Sequence, residues 1–476
     1  MFMKIFQSII LVLIFTLSVS ASADQVKILI NDVSRLNPTF VTEIYTVRDE
    51  GGLREKILEA KRLNLKVSMA GQRHSQGGHQ FSEGGIVLDM LQFNKILSLD
   101  DKNKVIKVQS GATWDQIQKY INPFGLALKV MQTSNIFTVG GSMSLNIHGR
   151  DPNYRTIRDC IKSFRLMLAD GKVINVSRTE NEELFNLAIG GMGLFGVILD
   201  ADIELTDNVV FEKRTQYMDY KEYSEFFQKE IKNNKKVGLH GAALSIAPGK
   251  NFLKELSETS YVGSSQILNS TALHDEDQIF RNKFLLNLSR KFAWGKKLRW
   301  FLQKMLVDDS DQNKPVSRNN AMREPIKFLE YYSKHDTDIL QEYFVPTDQF
   351  VSFIDGLREI IFKEKVNLIH VGVRYVSEDK ESMLSYARKD SFSIVMYVNQ
   401  DSSENGIKKA KGWTSEIVDL AIQKGGSYYL AYQLFPSRQQ LKTAYPEIDE
   451  FFEKKKLYDP ELRFMNKFYQ QYAGEK

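Results

Sequence analysis

A chain of 476 residues is too long for one compact core and long enough for two. Hydrophobic residues at 42% and charged residues at 26% are the proportions of a folded globular protein and exclude wholesale disorder. The net charge of +5 is spread along the chain, which excludes the basic stripe of a nucleic-acid binder, and the single cysteine, Cys160, excludes an intramolecular disulfide, a cysteine-rich metal site and an iron–sulfur cluster. The first predicted element is a signal segment over residues 1–23. Lys4 precedes an uncharged apolar run over residues 5–19, and Ala21-Ser22-Ala23 has the small-x-small pattern of a cleavage site. The run is shorter than the roughly 20 residues a spanning helix needs. Cleavage and export to the periplasm or the extracellular space are therefore expected, with an uncleaved anchor as the alternative. No cysteine follows the run, so a lipoprotein anchor is excluded, and no Arg-Arg pair precedes it, so the chain is expected to cross unfolded.

Residues 38–207 alternate short strands with helices, which predicts an α+β domain. Strands are expected at 41–46, 66–70, 86–88, 105–109, 160–168, 172–176 and 197–205, where β-branched residues are bounded by Gly, Asn and Asp. Helical spacing falls at 53–63, 114–120 and 182–188. From residue 208 to 425 the chain is more aromatic and richer in lysine, with strands expected at 341–345, 367–376 and 392–398 and helices at 349–362 and 407–424. This reads as a second, antiparallel-sheet domain, with 310–320 as a mobile loop. Residues 426–476 are expected to be helical and to fold back onto the first domain.

Three loops carry more glycine than ordinary elements tolerate. The first is Gly71-Gln72-Arg73-His74-Ser75-Gln76-Gly77-Gly78-His79-Gln80. The second runs from Thr138 through Gly140, Gly141, Ser142 and Leu145 to His148 and Gly149. The third is Gly190-Gly191-Met192-Gly193-Leu194-Phe195-Gly196-Val197. Glycine allows backbone N–H groups to approach a phosphate closely. Ordinary tight turns would account for one such loop but poorly for three. The spacings match neither a P-loop nor a Rossmann turn.

Further segments follow in order. They are Gly85-Ile86-Val87-Leu88-Asp89, Leu168-Ala169-Asp170-Gly171, Glu183-Leu184-Phe185, Val373-Arg374-Tyr375, Leu384-Ser385 and Arg388-Lys389-Asp390-Ser391. The ending carries Tyr445-Pro446, Asp459-Pro460 and Phe464-Met465-Asn466. With the three loops, this series resembles the FAD-binding oxidoreductases of the vanillyl-alcohol oxidase and p-cresol methylhydroxylase (PCMH) type, nearest the aldonolactone and alditol oxidases and the decaprenylphosphoryl-ribose oxidases. The resemblance implies a two-subdomain FAD-binding PCMH-type domain over residues 24–207, a substrate (cap) domain over 208–425, and a C-terminal segment returning to the FAD domain. It implies FAD held by Gly71, Gln72, Arg73, His74, Ser75, His79 and Gln80 around the pyrophosphate and ribityl chain. Thr133, Thr138, Gly140, Gly141, Ser142, Leu145, His148, Gly149 and Tyr429 would line the flavin, and Gly196 and Val197 would meet the adenine side. Many relatives bond the flavin through a histidine at the position of His74; here Arg73 stands where glycine is usual. A hydrogen-bonding loop histidine is the alternative for His74. Cys160 is an alternative site for a second linkage and otherwise a small buried hydrophobe.

The resemblance further implies hydride transfer to the flavin from the C–OH carbon of a sugar, polyol or aldonolactone-like molecule. Such a reaction needs a base or a positive field at the oxygen. Arg374 on its strand suits that need, unless it pairs on the surface with Glu378 or Asp379. Tyr432 occupies the place where relatives carry a substrate-contacting lysine; a phenol donates a hydrogen bond and acts as a base only if its pKa is depressed. Glu342 falls at a substrate-facing position or is a solvated edge carboxylate. His148 is expected to bond phosphate or backbone, and Gln433 to be a polar neighbour. Oxygen, a quinone or a carrier protein would accept the electrons. Residues 284–306 could form an amphipathic membrane-facing stretch, as a lipid-linked sugar oxidase would need, or could pack on their own domain. A non-catalytic protein that keeps the fold is the third reading. Neither a His-Glu-x-x-His nor a Gly-x-Ser-x-Gly segment is present, so hydrolytic and zinc chemistry has no support.

Overall fold

In a computed structural model the described residues are 27–276, 278–307 and 314–474. The expected signal segment, and positions 310–313 of the expected loop, lie outside them.

The first domain joins two small sheets. In one, Ile86–Asp89 lies between Glu43–Thr46 and Val67–Ala70, all parallel. Ile86, Val87 and Leu88 are all buried, as a strand covered on both faces requires. The crossover is the helix Glu50–Arg62, started by Asp49, whose side chain accepts the Gly52 N–H. Leu53, Ile57 and Ala60 recur at helical spacing and are fully buried. The expected strand at 41–46 is two strands. Thr39–Val41 pairs with Ile28–Ile30, and the chain changes sheets at Thr42, whose N–H and hydroxyl bond Gly85 and Gly84 carbonyls instead. The second sheet is antiparallel, in the order Val173–Ser177, Ile161–Met167, Val197–Asp207, Val105–Gln109 and Ile96–Asp100. Leu126–Leu128 pairs with the end of its central strand.

The second domain is built on an eight-stranded antiparallel sheet. Its order is Pro315–Ser317, Val210–Asp219, Glu255–Gly263, Val237–Leu244, Asn367–Val376, Ser391–Asp401, Asp336–Pro346 and Ser427–Tyr428. Alternation along these strands separates two faces. Tyr343, Val345, Val371 and Val373 are fully buried core residues, and Tyr343 meets Phe353 of the helix Phe350–Glu364. Leu340, Glu342, His370, Arg374, Val395 and Tyr397 line a cleft facing the glycine loops. The α+β class and this antiparallel domain stand as expected from the sequence.

One expectation is corrected. The later part of the expected mobile loop is ordered: Ser317, Arg318 and Asn319 are buried. Arg318 donates to the Leu128 and Lys129 carbonyls and pairs with buried Asp151 at 2.8 Å. Residues 284–306 fall in two helices, Ile279–Lys291 and Ala293–Val307. The tail docks on the parallel sheet. The Val67 N–H donates to the Arg463 carbonyl at 2.7 Å and Met465 N–H to the Val67 carbonyl at 2.9 Å. Asp459 accepts from the N–H groups of Arg463 and Phe464, which fixes that turn.

Candidate active site

The glycine loops and the cap sheet enclose a cleft of about 1000 Å³. Its loop wall is drawn in tightly. A Cβ on Gly71 would lie 2.4 Å from the Thr138 hydroxyl oxygen, and that oxygen already accepts the Gly141 N–H at the start of the short helix Val139–Ser144. Gly196 has a φ of +149°, and its Cβ would meet the Met167 carbonyl at 2.7 Å. Only glycine fits there.

At the cap end, three side chains bond one carboxylate. His148 Nε2 lies 2.7 Å from Glu342 Oε1, which also accepts from the Ser393 hydroxyl. The Tyr432 hydroxyl donates to Glu342 Oε2 at 3.2 Å. Burial opposes charge on Glu342, but His148, Arg374 and Ser393 outweigh it and hold the carboxyl below its ordinary range. Burial and then the Glu342 charge push the Tyr432 phenol well above its ordinary range. Arg374 donates to the Thr133 hydroxyl at 2.5 Å, across the cleft from its own strand. His370 lies beside it, and burial, with Arg299 and Arg374, lowers its pKa to about 3. The site therefore sets an ionised carboxylate against a guanidinium and a protonated phenol. That combination can take a proton from a hydroxyl and hold the oxygen left behind.

The cleft wall also leaves buried polar atoms open. Ser110 Oγ and Gln80 Oε1 line it without a hydrogen-bond partner among the described residues. Open acceptors and a hydroxyl beside glycine-lined backbone suit a polar, dinucleotide-sized group. The sequence model of the FAD binding domain family matches residues 43–177, which contain the first two loops. That of D-arabinono-1,4-lactone oxidase matches residues 270–472, which contain Glu342, Arg374 and Tyr432. These two matches make the chain similar to the PCMH-type FAD-binding oxidoreductases.

Among similar proteins, decaprenylphosphoryl-β-D-ribose oxidase of Mycolicibacterium smegmatis is 31% identical over 174 residues, 36% of this chain and 38% of that protein. L-gulonolactone oxidase of Mus musculus is 27% identical over 160 residues, 34% of this chain and 36% of that protein. Mitochondrial L-galactono-1,4-lactone dehydrogenase of Arabidopsis thaliana is 25% identical over 181 residues, 38% of this chain and 30% of that protein. The matched stretch thus spans less than two fifths of each relative's own length.

FAD fits the loop end of the cleft. Gly71, Gln72, Arg73, His74, Ser75, His79, Gln80, Thr133, Thr138, Gly140, Gly141, Ser142, Leu145, His148, Gly196, Val197 and Tyr429 all line the cleft, as do Glu342, Arg374 and Tyr432. Gly149 does not; it packs against the Met131 carbonyl, where a Cβ would lie 3.3 Å away. His148 bonds backbone as expected, Nδ1 lying 3.3 Å from the Gly149 carbonyl, and its Nε2 adds the bond to the Glu342 carboxylate at the cap end. Glu342 is 4% exposed and so is no solvated edge carboxylate. Arg374 turns into the cleft rather than toward Glu378 or Asp379. Tyr432 is a donor whose raised pKa removes it as a base. Gln433 instead bonds Ser34 Oγ at 2.9 Å, tying the tail to the N-terminal strands. Cys160 lies in the core away from the cleft, its thiol pushed by burial to about 12, which removes it as a second linkage site.

His74 lines the cleft edge-on to Phe137, with Nδ1 bonded to the Gln72 carbonyl at 2.8 Å, and burial lowers its pKa. Arg73, the departure from the family's glycine, has a φ of +57°. An L-residue thus occupies the left-handed region that glycine adopts freely. Sequence reasoning missed Ser393 and His370. Both stand on expected strands at the alternation that faces the cleft, a signal that becomes usable once the face carrying Glu342 and Arg374 is known.

Proposed function

We propose that this chain is an FAD-dependent oxidoreductase that takes hydride from the C–OH carbon of a sugar, polyol or aldonolactone-like substrate. The observation that carries the reading is the buried Glu342 carboxylate facing Arg374 at the end of an FAD-sized cleft. The names of these three relatives, a phosphoryl-ribose oxidase and two enzymes of sugar lactones, support the substrate class. Bound FAD supplies the two-electron acceptor. Glu342 receives the hydroxyl proton at Oε2, where Tyr432 is its sole hydrogen-bond partner among the described residues. His148 and Ser393 fix the carboxylate from the Oε1 side, so the accepting oxygen keeps its position. Arg374, fixed by Thr133, holds the substrate oxygen as its charge rises.

His74 is the proposed point of covalent flavin attachment, supported by its position on the cleft wall and its lowered pKa, which keeps the imidazole neutral and nucleophilic near pH 7. Export is the proposed destination, supported by the apolar run and the Ala21-Ser22-Ala23 pattern. The test is an absorption spectrum of the purified protein before and after acid precipitation, followed by anaerobic addition of an aldonolactone or alditol. Yellow colour that bleaches with substrate supports the reaction, and colour retained in the pellet but released in His74→Ala supports the tether. A protein that neither is yellow nor takes up FAD ends the proposal.

A further inference from the structure

The helices Ile279–Lys291 and Ala293–Val307 bury one side and leave apolar rings on the other. Leu286, Ser289, Arg290 and Trp300 are buried. Phe280 is 86% exposed and Phe284 55%, one helical turn apart. Trp294, Phe301 and Met305 are 54%, 58% and 60% exposed and follow at i, i+7 and i+11, a single stripe on the second helix. Between the helices Phe292 stacks on Trp294, ring centroids 5.4 Å apart and 16° from parallel, with both rings open to solvent. Exposed apolar side chains concentrated in this way on one segment of a folded surface mark a binding face.

The charge around the patch has one sign. Residues 279–307 contain eight Lys and Arg and no Asp or Glu. Four of the eight turn inward to partners: Arg290 to Asp338, Lys296 to Asn367, Arg299 to the Ile369 carbonyl and Lys304 to Glu255. Arg281, Lys291 and Lys297 are exposed beside the rings, with no carboxylate against them among the described residues. Aromatic residues flanked by unpaired cations match the interface of an anionic bilayer, where rings sit at headgroup depth and lysines meet lipid phosphates. A protein partner would need acidic residues and a fitted surface; a bilayer needs only this composition. No helix among the described residues is long and apolar enough to cross a membrane, so the contact is with the surface.

We infer that the helical pair 279–307 docks this protein on anionic membrane surfaces. The pair also forms part of the cleft wall, through Leu286 and Arg299, and the segment Lys327–Leu329 beside it lines the same cleft. Docking therefore holds this wall of the cleft at the membrane surface. The inference concerns the outer face alone and holds whichever sugar-like substrate the cleft takes.

The test is co-sedimentation of the full chain with phosphatidylcholine vesicles, with and without phosphatidylglycerol. Wild type is compared with Phe284→Ser/Trp294→Ser/Phe301→Ser and with Lys291→Glu/Lys297→Glu. All three proteins share residues 1–23, so a difference between them belongs to the helices. Wild type is expected to bind the anionic vesicles at least about tenfold more tightly than the neutral ones. The ring variant is expected to lose about tenfold or more on both, and the charge variant to lose the anionic preference. These substitutions are on exposed side chains, and an unchanged flavin spectrum and melting temperature show that the fold is intact. Equal binding by all three proteins overturns the inference, as does a wild type that stays in the supernatant. A wild type that self-associates in sedimentation velocity without vesicles, and does so only with its rings intact, also overturns it by assigning the face to a second copy.

Discussion

Glu342 is the residue on which the chemistry turns, and its neighbours show how a buried carboxylate stays charged. Three hydrogen bonds, with Arg374 facing it, offset the cost of desolvation. Glu342→Gln removes the accepting charge but keeps the shape. It is expected to cut the rate of flavin reduction by about 10²–10⁴-fold while FAD binding is retained, read by stopped-flow bleaching of the flavin band. Retention of the wild-type rate would assign the proton to another group. Arg73 makes a second case at this scale. Its left-handed backbone costs roughly 1 kcal/mol in an L-residue, and its pairing with Asp89, at 3.5 Å and part exposed, returns little. Arg73→Gly is expected to leave the melting temperature unchanged or raise it by a few degrees, and Arg73→Ala to give no gain, in calorimetry of the two variants. A clear loss in the glycine variant would mean that the guanidinium holds the loop.

Among the elements, those with local causes were legible in the sequence. The strand Asn367–Val376 and the helix Glu182–Ala188 fall at their expected bounds. Most of the others differ by a few residues at the ends. The strands Val210–Asp219, Val237–Leu244 and Glu255–Gly263 were not anticipated. Their polar and small residues, such as Gln216, Gly241 and Ser257, break the β-branched pattern, and their places are fixed by pairing with one another and with a strand far along the chain. The loops were legible as glycine-rich, but not the reason for each glycine. Gly71 is required because the Thr138 side chain occupies the space of its Cβ. Gly71→Ala is expected to displace Thr138, uncap the helix Val139–Ser144 and weaken FAD binding by about tenfold, a loss of ~1.4 kcal/mol, measured by flavin retention on dilution. Full retention would show that the loop yields without cost.

For the molecule as a whole, the buried histidines set how stability depends on pH. His79 is held at about 4 by burial, and His370 at about 3 by burial with Arg299 and Arg374. Both lie below the unfolded value of 6.5, so above pH 6.5 neither state binds the proton. As pH falls from 6.5 toward 4 the unfolded chain takes protons that the folded chain refuses. Stability then falls by up to about 1.4 kcal/mol per pH unit for each histidine. Glu258, raised by burial to about 7, acts in the opposite sense between 7 and 4.5 and offsets its neighbour His240, held at about 3. Denaturant unfolding of the apoprotein is expected to show lower stability at pH 5 than at pH 6.5, with a shallower fall in His370→Asn. A stability flat across this range would mean that these rings are protonated in the fold. The two-domain outline could be read from composition, whereas the convergence of His148, Ser393, Glu342 and Tyr432 could not, since these residues are brought together only by the folded sheet and loops.

The return of the tail has a consequence for the order in which the molecule is built. Val67, four residues before the first glycine loop, is bonded on one edge to Arg463 and Met465, and Asn466 holds the Met192 carbonyl of the third loop. Tyr429 and Tyr432 close the cleft from the same end of the chain. During synthesis the strand at Val67 therefore keeps one edge open for nearly four hundred residues, and the nucleotide cradle waits for the same tail. The flavin-binding shape is finished only when residues 429–466 are in place, so loading of the cofactor follows their synthesis.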